Sequence, residues 1–154
     1  MKASFVTGSR WWPLTAPDRH PIHDALLGTE LLIVGDCRTG VDAIALDWAL
    51  ANDCIVRVYC ASLARFEALR VTPGIHVELA VALELARAWD TRKGKVAGPI
   101  RNRRMAHEAK RVEAETGCKV DCYAFPLSGS RGTHDCIRAM REAGFTPNVY
   151  KHGD

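Results

Sequence analysis

The sequence AFPLSGSRGTHD, residues Ala124–Asp135, links an apolar run to a segment whose apolar residues have helical spacing. A strand, a glycine-containing turn and a helix start in this order are typical of an anion site. The first helical amides have no intrahelical partner, and the helix dipole adds partial positive charge there. The hydroxyls of Ser130 and Thr133 and the charge of Arg131 suit a phosphate. An ordinary strand-to-helix turn with a Ser or Thr cap is the alternative interpretation.

Two turns of the same kind occur upstream. The β-rich segment Ala3–Thr7 ends at Gly8-Ser9-Arg10, and the apolar segment Glu30–Val34 ends at the sequence GDCRTG, residues Gly35–Gly40. A helix with clear apolar periodicity begins at Val41. Three turns with one architecture favour a shared anion site over three independent helix caps.

Composition and charge indicate a soluble, globular protein. The 154 residues are expected to form one domain, residues 1–154, with a full core. The net charge of +3 is too small to indicate nucleic acid by itself. The sequence has no apolar run of about 20 residues and no signal-peptide pattern, which predicts a cytoplasmic protein without membrane contact.

The six cysteines do not indicate a metal site. None forms a CxxC pair, and four lie in or beside apolar segments, so buried free thiols are the better interpretation. His20 and His23 are not followed by a second pair at zinc spacing. We therefore expect no metal and no cofactor.

The remaining elements alternate between strand and helix. Strands are expected at Cys54–Tyr59, Val120–Phe125 and Thr146–Tyr150, whereas the Pro-rich passage up to Pro21 makes a helix improbable there. The pattern predicts an α/β, Rossmann-like three-layer fold with a mostly parallel sheet of about five strands. Ligands in such sheets bind at the carboxyl ends of the strands, where the strand order reverses.

Two helices carry further expectations. Ile75–Trp89 has apolar residues at helical spacing and more of them than one face requires, so we expect a homo-oligomer, most simply a twofold dimer. A second helix is expected from Pro99 to about Thr116, with Gly117 as its stop. Arg101 shares a face of that helix with Arg104 and Met105, and its guanidinium suits a phosphate, although a solvated basic face is the alternative.

Four motifs, in this order, resemble the SLOG superfamily. They are VTGSR with Trp12, the segment GDCRTGVD (Gly35–Asp42), AGPIRN (Ala97–Asn102) followed by Met105, and AFP (Ala124–Pro126) followed by SRGT (Ser130–Thr133). The small stand-alone proteins related to YspA are the most similar branch. The superfamily also contains the Lonely-Guy phosphoribohydrolases, DNA-processing protein A and ligand-sensing domains of anti-phage systems.

The resemblance implies a Rossmann-like pocket for a nucleotide or a nucleotide-derived molecule. The expected ligand-binding residues, with no catalytic residue and no metal ligand among them, are Gly8, Ser9, Arg10, Trp12, Gly35, Arg38, Gly40, Asp42, Arg101, Asn102, Ser128, Gly129, Ser130, Gly132 and Thr133. For two of these residues, roles other than ligand binding are also open. Trp12 would stack on a planar ligand, cap the core or fill an interface, and Asp42 would complement the helix dipole or bind a ligand hydroxyl.

Two departures from the superfamily pattern bear on function. The Lonely-Guy enzymes place a catalytic Glu three residues after the Thr of their Gly-Thr pair, and Cys136 occupies that position here. Asp135 is not a simple substitute, because one helical residue rotates a side chain by about 100 degrees. Asp36 stands where the branch usually has a second Gly and is expected to narrow the pocket.

Three function classes follow, in order of preference. The first is a protein that senses or sequesters a nucleotide-derived ligand. The second is a nucleotide N-glycosidase or phosphoribohydrolase, which needs a carboxylate near an oxocarbenium-like transition state. The third is a single-stranded nucleic-acid binder, for which a basic groove with stacking residues would be required.

Overall fold

Six parallel strands form one sheet in the computed structural model, which describes residues 1–152. The strands are β1 (Lys2–Gly8), β2 (Thr29–Gly35), β3 (Ile55–Cys60), β4 (Ile75–Leu79), β5 (Val120–Phe125) and β6 (Asn148–Val149). The helices are α1 (Ala16–Leu26), α2 (Val41–Ala51), α3 (Leu63–Leu69), α4 (Leu83–Arg87), α5 (Ala97–Thr116) and α6 (Arg131–Glu142), with a 3-10 turn at Lys93–Val96. The α/β, Rossmann-like prediction is confirmed, with one strand more than the expected five.

The strand order β4-β3-β2-β1-β5-β6 reverses at β1. The chain moves from β1 outward to β4, and the following strand, β5, then pairs with the other side of β1. The crevice that a doubly wound sheet offers to a ligand therefore lies beyond the carboxyl ends of β1 and β5. Two of the three predicted turns lie there.

Helices cover both faces of the sheet. One core contains Ile22 and Leu26 of α1 and Ile44 of α2, whereas the other contains Met105 of α5 and Met140 of α6. The central strands are buried along nearly their whole length, as expected for parallel strands with helices on both faces.

The expected helix at Ile75–Trp89 is wrong. The segment forms the edge strand β4, and the short α4 follows it. Residues 75–79 read IHVEL, in which apolar and polar residues alternate, and that period of two fits a half-buried strand. The oligomer prediction loses the long apolar helix on which it depended and stays a prediction.

The Pro-rich passage before Ile22 is helical, contrary to expectation. Pro17 lies in the first turn of α1, where a missing N–H costs nothing, and only Pro21 lies inside the helix. The buried Ile22 and Leu26 fix the helix to the core. Among residues 1–152, no helix is both long and apolar enough to cross a bilayer.

Candidate ligand site at the carboxyl edge of the sheet

The turns after β1 and β5 are joined at the reversal of strand order. The amide of Ser9 donates to the carbonyl of Phe125 at 3.0 Å, which extends the pairing of β1 with β5 by one residue. Ser9 is buried, whereas Arg10 beside it is exposed. The first turn thus presents a charged side chain above a fixed backbone.

The turn after β1 packs directly against the turn after β2. A Cβ on Gly40 would lie 2.1 Å from the carbonyl oxygen of Ser9, and a Cβ on Gly8 would overlap the Val41 side chain. The Thr39 hydroxyl donates to the carbonyl of Arg10 at 2.8 Å. Gly8 and Gly40 are therefore needed for contact between the two turns. This packing explains why both positions are glycine, without reference to a ligand.

Asp36 and Arg101 form a buried ion pair under these turns. Arg101 Nη1 lies 2.6 Å from Asp36 Oδ1, and the side chains are 13% and 4% exposed. Asp36 Oδ2 accepts the amides of Ala61 and Ser62, both at 3.1 Å, at the start of α3. Asp36 therefore holds together the turn after β2, the start of α3 and the start of α5.

Asp42 lies beside the ion pair. A Cβ on Gly35 would approach Asp42 Oδ2 to 2.9 Å and Arg101 Nη1 to 3.1 Å, so both terminal groups lie close to Gly35. Burial raises the pKa of Asp42 to about 6, although the field of Arg101 opposes the shift. Asp42 Oδ2 accepts the amide of Cys37 at 3.2 Å.

One nitrogen of Arg101 is left for a ligand. Nε donates to Asn102 Oδ1 at 3.1 Å, and Nη1 is taken by Asp36. Nη2 has no hydrogen-bond partner among the described residues. Every fully buried polar side-chain atom of those residues does have a partner. Nη2 must therefore belong to the accessible part of the side chain. Burial lowers the pKa of Arg101, but the nearby carboxylates of Asp36 and Asp42 raise it overall, so the guanidinium stays charged.

The start of α5 is tied to the first turn of α6. Asn102 Nδ2 donates to the carbonyl of Gly132 at 3.3 Å and to Asp135 at 3.1 Å. Asp135 also pairs with Arg103 at 3.0 Å. Asn102 is 1% exposed, so its amide is a structural bridge that places Arg101 next to α6.

Thr133 is the polar residue of α6 that this bridge brings to the site. It is 4% exposed, and its hydroxyl has no hydrogen-bond partner in the described part of the chain. The Ser130 hydroxyl, by contrast, accepts the Leu127 amide at 3.1 Å and shapes the turn. A Cβ on Gly129 or Gly132 would meet nothing within 4 Å, so this turn borders open space. Ser128 is exposed at its tip.

Two thiols lie near the ion pair. Burial raises the pKa of Cys136 and of Cys37 to about 12 each, so both are neutral near pH 7. Cys136 is fully buried beside Thr7 and Arg101. Cys136 is therefore a neutral, inaccessible group. Within residues 1–152, no three His, Cys, Asp or Glu side chains are arranged to hold a metal ion.

Exposed arginines surround the buried centre. Arg10, Arg38 and Arg131 each lie on a different turn, and none is in an ion pair among the described residues. Arg10 stacks over Trp89, 5.7 Å from the ring centroid. Arg104 does not join them, because it pairs with Glu78 and Glu108.

Trp12 is placed away from Arg101. Its ring packs against Phe125 in the core on the α1 face, whereas α5 covers the opposite face, and its Nε1 donates to the Asp18 carbonyl at 2.7 Å. It borders a cavity of about 370 Å³. The polar groups there satisfy one another, since His152 pairs with Asp18 at 2.7 Å. A second cavity, of about 360 Å³, lies between the end of β4 and Arg104.

Comparison with a solved structure supports the fold. No protein-family model matches the chain. The X-ray structure of DNA processing protein A from Streptococcus pneumoniae superposes with a TM-score of 0.51 at 17% identity, over 97% of this chain. The present chain spans 58% of the length of that protein, and at this identity the likeness shows the fold alone.

A second comparison is with a protein of similar length. The Gene 61 protein of Mycobacterium phage D29 is 32% identical over 161 residues, an alignment that covers 100% of this chain and 98% of the phage protein. At that identity, over nearly the full length of both proteins, the chain belongs to the family of the phage D29 Gene 61 protein.

Proposed function

We propose that the protein binds a nucleotide or nucleotide-derived signalling ligand at the turns after β1, β2 and β5. One observation carries the proposal: Arg101 and Thr133, both largely buried, each keep one accessible polar atom without a partner among the described residues, at the same edge of the sheet. A few accessible polar atoms held by a buried framework are what a ligand site offers for orienting a ligand.

The charges around the site suit an anionic group of the ligand. Arg10, Arg38 and Arg131 are exposed around the buried centre, and the first turn of α6 adds free amides and the helix dipole. The ion pair with Asp36 offsets the charge of Arg101. The phosphate of the ligand therefore lies nearer α6 and the exposed arginines than the buried pair.

Sensing or sequestration is preferred over hydrolysis. Cys136 is neutral and buried where the Lonely-Guy enzymes have their Glu, and Asp135 is engaged by Arg103 and Asn102. Burial raises the pKa of Asp42, beside the site, to about 6. The resemblance to the SLOG superfamily, which includes DNA-processing protein A, supports a nucleotide-related role, and the YspA-related branch stays a prediction.

The second candidate is single-stranded nucleic acid. Trp11 is 77% exposed and adjoins Arg10, which has no carboxylate partner among the described residues. An exposed aromatic ring beside unpaired guanidinium groups suits a stacked base and its phosphate. The modest net charge of +3 argues for a short contact rather than a long strand.

Calorimetry tests the proposal directly. The purified protein is titrated with nucleoside mono-, di- and triphosphates, cyclic nucleotides and short single-stranded oligonucleotides at two salt concentrations. Saturable binding of a mononucleotide or cyclic nucleotide supports the first candidate. Binding of oligonucleotides alone, with a steep salt dependence, would replace it with the second. No binding of any of them would overturn both.

A further inference from the structure

The terminal groups of Asp42 and Arg101, which both approach Gly35, provide a hydrogen-bond acceptor and a donor. Asp42 is 6% exposed and Arg101 has a 13% exposed side chain. Each uses one atom of its terminal group inside the protein, since Asp42 Oδ2 accepts from Cys37 and Arg101 Nη1 donates to Asp36. Their second terminal atoms, Asp42 Oδ1 and Arg101 Nη2, have no N–H or O–H hydrogen-bond partner among the described residues. The Cys37 thiol also lies within hydrogen-bonding reach of the Asp42 carboxylate.

The terminal groups that carry these two atoms approach the same point. A single point, the Cβ position of residue 35, is 2.9 Å from Asp42 Oδ2 and 3.1 Å from Arg101 Nη1, so the carboxylate and the guanidinium converge. Neither free atom is fully buried, because every fully buried polar side-chain atom of the described residues has a partner. The carboxyl edge of the sheet therefore exposes one acceptor and one donor on two neighbouring side chains.

A neutral hydroxyl fits this pair better than a phosphate does. A phosphate oxygen would meet Arg101 Nη2 but would also face the Asp42 carboxylate and Asp36, which already balances the arginine. A hydroxyl donates to the carboxylate and accepts from the guanidinium at once, since it is both donor and acceptor. The pKa of Asp42 of about 6 leaves it ionised, and so an acceptor, above neutral pH.

We infer that Asp42 and Arg101 form a sugar-hydroxyl subsite, which makes the protein selective for ribonucleotides over deoxynucleotides. The inference rests on the proposed nucleotide-binding function and adds the class of sugar. Asp42 accepts from a ribose hydroxyl, and Arg101 Nη2 donates to the same oxygen. Thr133 and the arginines of the three turns remain available for the phosphate.

The Asp42→Asn variant changes this subsite with little change of shape. The Cys37 amide requires an acceptor, so the single carbonyl oxygen of the substituted side chain turns to it. The NH2 group then occupies the position of Oδ1 and presents a donor beside the donor of Arg101. A ribose hydroxyl loses its acceptor, whereas a deoxyribose loses nothing.

The experiment is a matched set of calorimetric titrations at pH 7.5. The probes are the four ribonucleoside 5′-monophosphates with their 2′-deoxy and 3′-deoxy counterparts. The wild-type protein should bind at least one ribonucleotide roughly 10- to 100-fold more tightly than one of its deoxy counterparts, the range for a hydrogen bond to a charged group. The ratio should fall to about one in Asp42→Asn and stay unchanged in Asp47→Asn, an exposed position of the same helix.

Each outcome decides a different question. Equal binding of ribo- and deoxynucleotides by the wild-type protein would overturn the subsite and leave the nucleotide-binding function standing, whether or not the variant folds. A ribose preference that persists in a folded Asp42→Asn variant would overturn the role of Asp42. No binding of any nucleotide would overturn the proposed function and the subsite with it.

Discussion

Asp36 Oδ1 and Arg101 Nη1 lie 2.6 Å apart, and this contact joins the end of β2 to the start of α5 across 65 residues of sequence. The other carboxylate oxygen holds the amides of Ala61 and Ser62, which begin α3. The guanidinium that faces the proposed ligand is thus held by three segments before any ligand binds. Such preorganisation lowers the entropy that binding has to overcome.

Replacing Asp36 by Asn should destabilise the protein strongly. An amide leaves the Arg101 charge buried without a carboxylate, and removal of one partner of a buried pair costs about 3 to 5 kcal/mol. Urea unfolding at pH 7 measures the change. Asp47→Asn, at an exposed position, is the control and should stay within about 0.5 kcal/mol of wild type. A loss below about 1 kcal/mol would place the Asp36–Arg101 pair among ordinary surface ion pairs.

Arg101→Lys separates binding from folding better than Arg101→Ala. A lysine keeps a positive charge opposite Asp36 but cannot present the second guanidinium nitrogen. Nucleotide affinity should fall by about 1.5 to 3 kcal/mol, the range for hydrogen bonds that involve a charged group. Calorimetry measures the affinity, and circular dichroism checks the fold. Arg104→Lys is the control, because that side chain pairs with Glu78 and Glu108 instead. Equal loss in both variants would remove Arg101 from the site.

Much of the fold was predictable because its signals are local. α2 has clear apolar periodicity, and Gly117 at the end of α5 has φ 71°, which a helix stop of this kind requires. The strand β4 was missed, since IHVEL is short and the apolar residues after it continue a helical spacing. The sequence allows only a short helix at Ile22–Leu27, because Pro17 and Pro21 favour a break before it, although the buried Ile22 and Leu26 anchor the longer α1 to the core.

The site was only partly predictable for a different reason. The three turns could be placed on one edge because parallel strands all end there. The partner of Arg101 could not be found, since Asp36 is 65 residues away and no local pattern records which turns meet. Asn102 was expected to bind a ligand, but its amide bridges α5 to α6. Gly8 and Gly40 resemble ligand-binding glycines, and the packing between turns accounts for them.

Asp42 should give the stability of the protein a measurable pH dependence. Its pKa of about 6 lies above the ordinary value of 3.8, mainly because of burial among Arg101, Asp36 and Cys37. The folded state therefore binds a proton more readily, and this contribution to stability is lost as pH rises through 6. Between pH 5 and 7 the wild type should lose about 1 kcal/mol relative to Asp42→Asn. Urea titrations at both pH values measure the difference, and Asp47→Asn should show none. A constant difference would mean that Asp42 is ionised in the folded protein already at pH 5.

Thr133→Val should weaken binding without weakening the fold. The Thr133 hydroxyl has no partner among the described residues, so valine removes no hydrogen bond from the free protein. If the hydroxyl donates to a phosphate oxygen, nucleotide affinity falls by about 1.5 to 3 kcal/mol.

Thr116→Val, the control, should give the opposite pattern, because the Thr116 hydroxyl donates to the Val112 carbonyl and accepts the Cys118 amide. It should lower the unfolding free energy by about 1 kcal/mol and leave binding unchanged. Unaltered affinity in Thr133→Val would exclude the hydroxyl from the site.

Nucleoside monophosphates should be bound but not cleaved. Hydrolysis of an N-glycosidic bond needs a carboxylate where positive charge develops. The resemblance to the Lonely-Guy enzymes implies that Cys136, which is buried and neutral, stands in that position. Asp36 is fully hydrogen-bonded and Asp135 is paired with Arg103, so Asp42 is the remaining candidate beside the site. The test incubates excess protein with each monophosphate for hours and separates free base by chromatography. Base release should equal that of a protein-free control. The protein would be a hydrolase, and the binder interpretation wrong, if base release exceeded that control and the excess were lost in Asp42→Asn or Asp135→Asn.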